Sequence, residues 1–281
     1  MKTTKSIEVS VVVRTYNEPP ELFKKCLDSI LRQEKSTFEL IVVDSSNSSE
    51  IKNICKGNEG IKYYYIQSSG LSEGRNKGIE VSSNDYIAFT DPDCIVDPLW
   101  LKSLCNALSQ NPKIAIVGGK VMPNWLAKPP FVYKNSRLAW STLSLLDISD
   151  NCCEVGKIVG ANFGINKTLL AQAGYFSPNL GRMKGTLLGG EETDLCKRAR
   201  EQGLKVIYTP YAVVEHQIPA SRLTFRWMFK RMYYGGISRA TLGGMAELGT
   251  SKPNIHDYIF LAIFIFPYLA GLVRGKLYLK P

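Results

Sequence analysis

Cysteine is present in this 281-residue chain but never suitably spaced: seven residues, at 26, 55, 94, 105, 152, 153 and 196, an odd number with no C-x-x-C. That excludes a zinc ribbon and a secreted disulfide framework, and a reducing cytosol is the simplest setting. Internal repeats and low-complexity tracts are absent. With 44% hydrophobic and 21% charged residues, disorder, collagen and coiled coil are excluded. The apolar run Val9–Val13 has no cleavage site behind it, so no secretory leader is expected. Acidic residues are missing from Gln217 through Ala246.

What is there is a chain long enough for one large domain, or one domain and a tail. Size scaling alone has it bury about 70% of its unfolded surface. Its net charge of +10 is uneven: residues 197–281 hold 13 Lys and Arg against 4 acids, whereas residues 1–196 hold 22 against 21. The last third is therefore the electrostatic face, suited to an anionic membrane or a nucleic acid.

The first 120 residues alternate strand and helix patterns. Val9–Val13, Leu40–Val43, Ile61–Ile66, Tyr86–Phe89 and Ile114–Val117 read as strands. Glu21–Gln33, Leu71–Val81 and Trp100–Leu108 read as helices. Such alternation predicts a parallel sheet covered on both faces, with ligands at the carboxyl ends of its strands. Beyond it, a helix is expected near Tyr133–Leu146, another from Glu191 to Glu201, a strand pair Val206–Thr209 and Ala212–Val214, and a basic helix over 221–246.

Three predicted strands end in residues that bear chemistry. Tyr86–Phe89 runs into Thr90-Asp91-Pro92-Asp93. Hard oxygen ligands so spaced suit Mg²⁺ or Mn²⁺ bound jointly with a diphosphate; a solvated, helix-capping turn is the plainer alternative. Asp44 can accept from a base or ribose, or cap its own turn through Ser45 and Ser46. Thr15 and Tyr16 follow the first strand, where a base would stack on the ring, or the ring would be a half-buried loop aromatic. Gly70-Leu-Ser-Glu-Gly-Arg-Asn-Lys-Gly78 opens a helix. Its glycines allow close backbone approach and Arg75 suits a phosphate, though solvated charges at a helix start would look the same.

Together these segments resemble the family 2 inverting glycosyltransferases of GT-A fold. The resemblance runs through Val11-Val-Val-Arg-Thr-Tyr-Asn-Glu18, Val42-Val-Asp44, Gly74-Arg-Asn-x-Gly78 and Asp91-Pro-Asp93. It continues through Gly160-Ala-Asn-Phe-Gly-Ile-Asn166, Ala173-Gly-Tyr-Phe176 and Gly190-Glu-Glu-Thr-Asp-Leu195. It implies an α/β fold with a mostly parallel central sheet, helices on both faces and a helical C-terminal tail. It also implies three parts: a nucleotide-sugar half at 1–120, an acceptor and catalytic-base half at 121–220, and a basic, apolar tail at 221–281. Thr15, Tyr16, Glu18, Asp44, Arg75 and Asp91 would surround the donor. Asp93, with His216 near it, would hold Mn²⁺ or Mg²⁺. One carboxylate would take the acceptor's proton. Where the family usually has Glu-Asp and uses the Asp, this chain has Glu191-Glu192, so the base is Glu192 or Glu191; a helix N-terminus stabilised by acids is the structural alternative. His256 reads as structural.

Arg222, Arg226, Lys230 and Arg231 recur on one predicted helix face, with Trp227 and Phe229 between. That suits an anionic membrane, or simply a solvated surface. Leu223 stands where the family's processive members carry Gln before Arg226-Trp227, which argues for a non-processive enzyme. Tyr258–Val273 is sixteen uncharged residues, about 24 Å as a helix against a hydrocarbon core of about 30 Å. An in-plane or re-entrant segment, a core helix and a homodimer interface are the alternatives. The reading is a metal-dependent, non-processive hexosyltransferase, cytoplasmic and peripheral to the inner face of the cell membrane. It would take a nucleotide-sugar and a sugar or lipid-linked acceptor, and no nucleic acid. The rival classes are a nucleotidyltransferase, which wants a glycine-rich, lysine-bearing loop after the first strand, and a basic RNA-binding protein.

Overall fold

The computed structural model describes residues 8–34, 37–68, 70–183, 185–243 and 254–278. In chain order the first half holds β1 (Val9–Thr15), α1 (Pro20–Leu31), β2 (Glu39–Asp44), α2 (Glu50–Lys56), β3 (Ile61–Tyr65), α3 (Leu71–Val81), β4 (Tyr86–Thr90), β5 (Cys94–Val96) and α4 (Trp100–Ser109). The second half holds β6 (Ile114–Trp125), α5 (Phe131–Asn135), α6 (Arg137–Thr142), β7 (Cys153–Glu154), β8 (Asn162–Asn166) and α7 (Lys167–Leu170). It ends with α8 (Glu191–Glu201), β9 (Lys205–Ile218), a 3₁₀ turn at Ala220–Leu223, α9 (Phe225–Leu242) and α10 (Ile255–Tyr278).

One sheet joins the halves in the order β3-β2-β1-β4-β8-β6-β9-β5, with β7 also on β9. The first four strands are parallel, and β8 inserts antiparallel between β4 and β6. Val11, Val12 and Val13 are all fully buried, as a central strand covered on both faces requires. Glycines 74 and 78 have a different job from the ligand approach read from sequence. A Cβ on Gly74 would meet Arg14, and one on Gly78 would meet Val12. These two let α3 lie close on β1.

Three expectations change. Tyr133–Leu146 is two short helices, α5 and α6. Ser136 separates them, its extended backbone and side-chain cap on Ala139 N starting α6 afresh. The expected strand pair after α8 is one strand, β9. Pro210-Tyr211, which look like a turn, are absorbed as a bulge: Thr209 pairs with Gly119, but Val213 with Lys120. The basic segment is broken at Thr224, which caps α9 by accepting from Trp227 N. Arg222 therefore lies on the 3₁₀ turn, off α9; residues 244–246 of that expected helix lie outside the described residues.

α10 runs beside α9 in the same direction. Gly236 faces Tyr268 and Gly271, Gly271 faces Tyr233, and Gly275 faces Ile237 and Ala240, with no room for a Cβ at these crossings. Small residues four apart on an apolar helix permit this approach. The start of α10 is tied down by Asp257, whose Oδ1 accepts from Ser136 Oγ at 2.7 Å and from Leu138 N at 2.9 Å. Phe260 and Phe264 are buried, while Phe266 is 82% exposed.

Candidate active site

A cavity of about 340 Å³ opens beyond the carboxyl ends of β1 and β4. Tyr16, Glu18, Arg75, Asp91, Asp93, Glu191, Glu192 and His216 all line it. Thr15 and Asp44 do not; both are fully buried behind it.

The pairing of β5 with β9 sets one wall. Cys94 lies opposite His216, so the preceding Asp93 is brought to the imidazole. His216 Nδ1 donates to Leu143 O at 2.8 Å, which turns Nε2 toward Asp93. Nε2 lies 3.2 Å from Asp93 Oδ2 and 2.8 Å from Arg222 Nη1. Arg222 Nη2 also reaches Asp93 Oδ2 at 2.8 Å. Burial alone would raise the Asp93 carboxyl; His216 and Arg222 override it and hold it well below the usual carboxylate range. Glu18, on the loop after β1, is pushed up to about 7 by burial and by Asp93.

The opposite wall is the first turn of α8. Gly190, at φ 103°, turns the chain so that Glu191 and Glu192 enter the cavity. Arg75 is buried between the walls. Nη1 reaches Glu192 Oε1 at 2.7 Å and Glu191 Oε1 at 3.1 Å, and Nη2 reaches Asp91 Oδ1 at 3.4 Å. Read from sequence as a phosphate partner, Arg75 is here engaged by three carboxylates. Its Cζ lies 5.4 Å from the centroids of the Phe163 and Phe176 rings. Those rings sit in two of the sequence segments singled out above. A third segment supplies Asn76, which donates to Phe176 O and accepts from Phe176 N. Asn162 holds Lys120 O, Ala212 O and Trp100 Nε1. Much of what marks those segments thus builds the seat for one guanidinium.

The two glutamates differ. Burial and Glu192 push Glu191 up to about 8. Glu192 goes the other way: burial opposes ionisation, but Arg75 prevails and lowers it. Its side chain is 14% exposed against 3% for Glu191, so it is the more open to a substrate.

Asp44 Oδ1 accepts from Ser46 N and Oδ2 from Tyr63 OH, each at 2.8 Å. Sequence patterns gave no sign of Tyr63, because its approach depends on the β2–β3 register. They also passed over the cavity cations Arg14, Lys157 and Arg182. Arg222 and Arg231 were expected on an outward face, and both line the cavity. Arg231 donates to Thr142 O at 3.2 Å and Leu187 O at 2.7 Å.

Among the described residues, α10 is long and apolar enough over Ile255–Leu277 to cross a membrane, and 22% of its apolar eighteen-residue window is buried. His256 meets the Phe131 ring edge-on, away from the cavity.

The family model described as glycosyl transferase family 2 matches residues 10–170. A glucosyl-dolichyl phosphate glucuronosyltransferase of Haloferax volcanii is 26% identical over 95% of this chain and 88% of its own length. The succinoglycan biosynthesis protein ExoM of Rhizobium meliloti is 22% identical over 84% of this chain and 75% of its own. Among solved structures, a mannosyltransferase of Pyrobaculum calidifontis in complex with GDP-Man and Mn²⁺ superposes with a TM-score of 0.62. It is 17% identical, over 99% of this chain and 77% of that one. GalNAc-T7 with UDP, GalNAc and Mn²⁺ gives 0.61 at 15% identity, over 93% of this chain and 55% of that one. The fold expectation, a GT-A-like α/β fold with a mostly parallel central sheet, helices on both faces and a helical C-terminal tail, agrees with these likenesses.

Proposed function

The chain belongs to the glycosyltransferases of family 2, and from that premise we propose an inverting, non-processive transfer of a hexosyl group from a nucleotide-sugar to an acceptor hydroxyl. One observation carries the reading: a single cavity sets Asp91 and Asp93 on one wall against Glu191 and Glu192 on the other. Inversion by in-line displacement needs a proton acceptor on one side of the anomeric carbon and charge neutralisation on the other.

Glu192 is the base in this reading. Arg75 keeps it ionised, while Glu191 holds its proton near neutrality and positions its neighbour. Tyr16, Glu18 and Asp91 flank the donor. Thr15 and Asp44 act behind it: Thr15 O accepts from Ser45 N, and Asp44 with Tyr63 and Ser46 fixes the loops against the nucleoside.

A divalent ion fits the Asp93 wall. Asp93 Oδ2 and His216 Nε2 lie 3.2 Å apart and face one place, which the Arg222 guanidinium occupies here and would yield to the ion. Among the described residues no cluster of three His, Cys, Asp or Glu could hold a metal by itself. A Mg²⁺ or Mn²⁺ site completed by substrate phosphates has that character. Asp93 and His216 would hold the ion, which when bound supplies positive charge to the departing diphosphate. Arg222 would then turn its own charge to the diphosphate.

The donor reading divides at residue 120, the first part gripping the nucleotide and residues 121–220 the acceptor and base. In this reading the tail beyond holds the enzyme at the cytoplasmic face of a membrane, where it meets a lipid-linked acceptor. The apolar face of α10 and the exposed Arg226, Lys230 and Lys276 support that placement. A binding and hydrolysis screen over UDP-, GDP- and dTDP-sugars, with and without Mn²⁺, tests the whole. Mn²⁺-dependent binding of one donor class is expected; absence of any would overturn it.

A further inference from the structure

Arg198 lies on α8, nearly two turns beyond Glu192 and outside the cavity. All five of its N–H donors find acceptors. Nε and Nη2 reach Asp194 Oδ2 at 2.9 and 2.8 Å, Nη1 donates to Ala173 O and to Gly174 O at 2.9 Å, and Nη2 also donates to Tyr175 O at 2.6 Å. Three consecutive carbonyls thus converge on one guanidinium. Gly174, at φ 73°, supplies the turn that lets them do so. Residues 173–176 lie in neither helix nor strand, so side chains place them. Arg198 takes the carbonyls of 173–175, and Asn76 takes both backbone groups of Phe176.

Phe176 is where this loop meets the site. Its buried ring stands edge-on to Phe89 and Phe163, and its centroid lies 5.4 Å from Arg75 Cζ. Arg75, the residue before Asn76 on α3, holds Glu191 and Glu192 at the first turn of α8. The contacts therefore close into a circuit. It runs from α3 through Asn76 to Phe176 and its loop, through Arg198 to α8, along α8 to Glu192, and through Arg75 back to α3. The two ties are about 9 Å apart along the axis of α8. One tie would leave α8 free to pivot about Arg75; two remove that freedom. Leu195, Cys196 and Ala199 also bury α8 against the core. Apolar burial is non-directional, however, and does not by itself set a carboxylate to the fraction of an ångström that catalysis needs.

We propose that Arg198 is a positioning residue for the base. With Asp194 it clamps the 173–175 carbonyls, Asn76 clamps Phe176, and the circuit so closed holds Arg75 and the first turn of α8 at the spacing Glu192 needs. This rests on the glycosyltransferase reading above, in which Glu192 takes the acceptor's proton.

Arginine side-chain ¹⁵N NMR of the full chain reads the circuit without substrate. The Arg75 Nη–H signals, assigned by their loss in Arg75→Lys, should be distinct, because bonds to three carboxylates and to Gly160 O stop the guanidinium rotating. Arg198→Met and Asn76→Ala should each broaden or merge them; signals unchanged in both would overturn the proposal. Turnover is read with whichever nucleotide-sugar the protein hydrolyses, water serving as acceptor. Arg198→Met should lower kcat about tenfold or more, with donor KM and calorimetric nucleotide affinity held within about twofold. A raised KM at unchanged kcat, or a matching loss of nucleotide affinity, would assign the loop to donor binding and overturn the proposal. The Arg198 side chain is 27% exposed, so added guanidinium can enter the space it leaves. Guanidinium should restore part of the turnover of Arg198→Ala where potassium at equal ionic strength does not; an equal response to both would leave Arg198 a structural role only and overturn the proposal. Should Arg198→Met unfold, Asn76→Ala carries both readouts. If the unmodified protein hydrolyses no nucleotide-sugar, the donor reading fails, while the Arg75 signals still decide whether the circuit holds.

Discussion

Glu191 and Glu192 share one guanidinium yet are driven in opposite directions, and their variants should separate accordingly. Glu192→Gln removes the ionised carboxylate that would take the acceptor's proton. Turnover should fall about 10²-fold or more, with donor affinity unchanged in an equilibrium titration. Glu191→Gln should act on stability. Its carboxyl rises from 4.5 in the unfolded chain to about 8 in the fold, so folding takes up a proton between those pH values. A raised carboxyl costs stability as pH climbs through that window and no more above it. The neutral amide escapes the cost. The melting temperature of Glu191→Gln relative to the unmodified protein should therefore rise from pH 5 to pH 8.5; a constant difference would reject the protonated state. Asp93→Asn keeps the shape of the Asp93 wall but removes its charge. Mn²⁺-dependent nucleotide binding should disappear, while circular dichroism shows an intact fold.

At the scale of elements, close approach through glycine recurs at two helix contacts, and both join the site to its support. Gly74 and Gly78 seat α3 on β1, which fixes Arg75 on the buried side of α3. Gly236, Gly271 and Gly275 seat α10 on α9, which carries Arg231. Gly271→Val would drive its Cβ into the Tyr233 carbonyl. Overpacking of this kind costs about 1–3 kcal/mol. Hydrogen exchange along α10 should quicken and the melting temperature should drop. Unchanged exchange would mean that the two helices are not held by this crossing. The same contacts explain why α9 ends up two-sided: Met228 and Gly236 are buried, Arg231 faces the cavity, and Arg226 and Lys230 face out.

For the molecule as a whole, the positive last third divides into cations that serve the cavity and cations that serve the surface. Arg222 and Arg231 belong to the first group. Arg226, Lys230 and Lys276 belong to the second, beside the exposed Phe225, Ile259, Ile263, Phe266 and Val273. Each exposed cation near an anionic lipid surface contributes about 1 kcal/mol. Co-sedimentation with liposomes should rise with anionic lipid content and be only partly reversed by salt, because the apolar face of α10 adds a contribution that salt does not screen. Replacing Arg226 and Lys230 by Glu should remove the anionic preference and leave nucleotide binding intact. A soluble chain that ignores liposomes, or a dimer that forms without them, would assign this face to protein contacts.

Some of this protein is written locally. Runs such as Val9–Val13 and Leu40–Val43 become central strands because a strand buried on both faces needs an unbroken apolar stretch. The chemistry-bearing residues after those runs follow, because chain order places them at strand ends. The acids of α8 were likewise legible from a glycine-preceded helix start. What only the tertiary structure decided is which charges meet. Arg75 and Glu191 are 116 residues apart, and Asp93 and His216 are 123 apart. No periodicity links such pairs; the β5–β9 pairing and the seat of α3 do. The same reason turned Arg222 and Arg231 inward. Helical spacing reports which residues share a face, but the break at Thr224 and the packing of α9 determine where that face points.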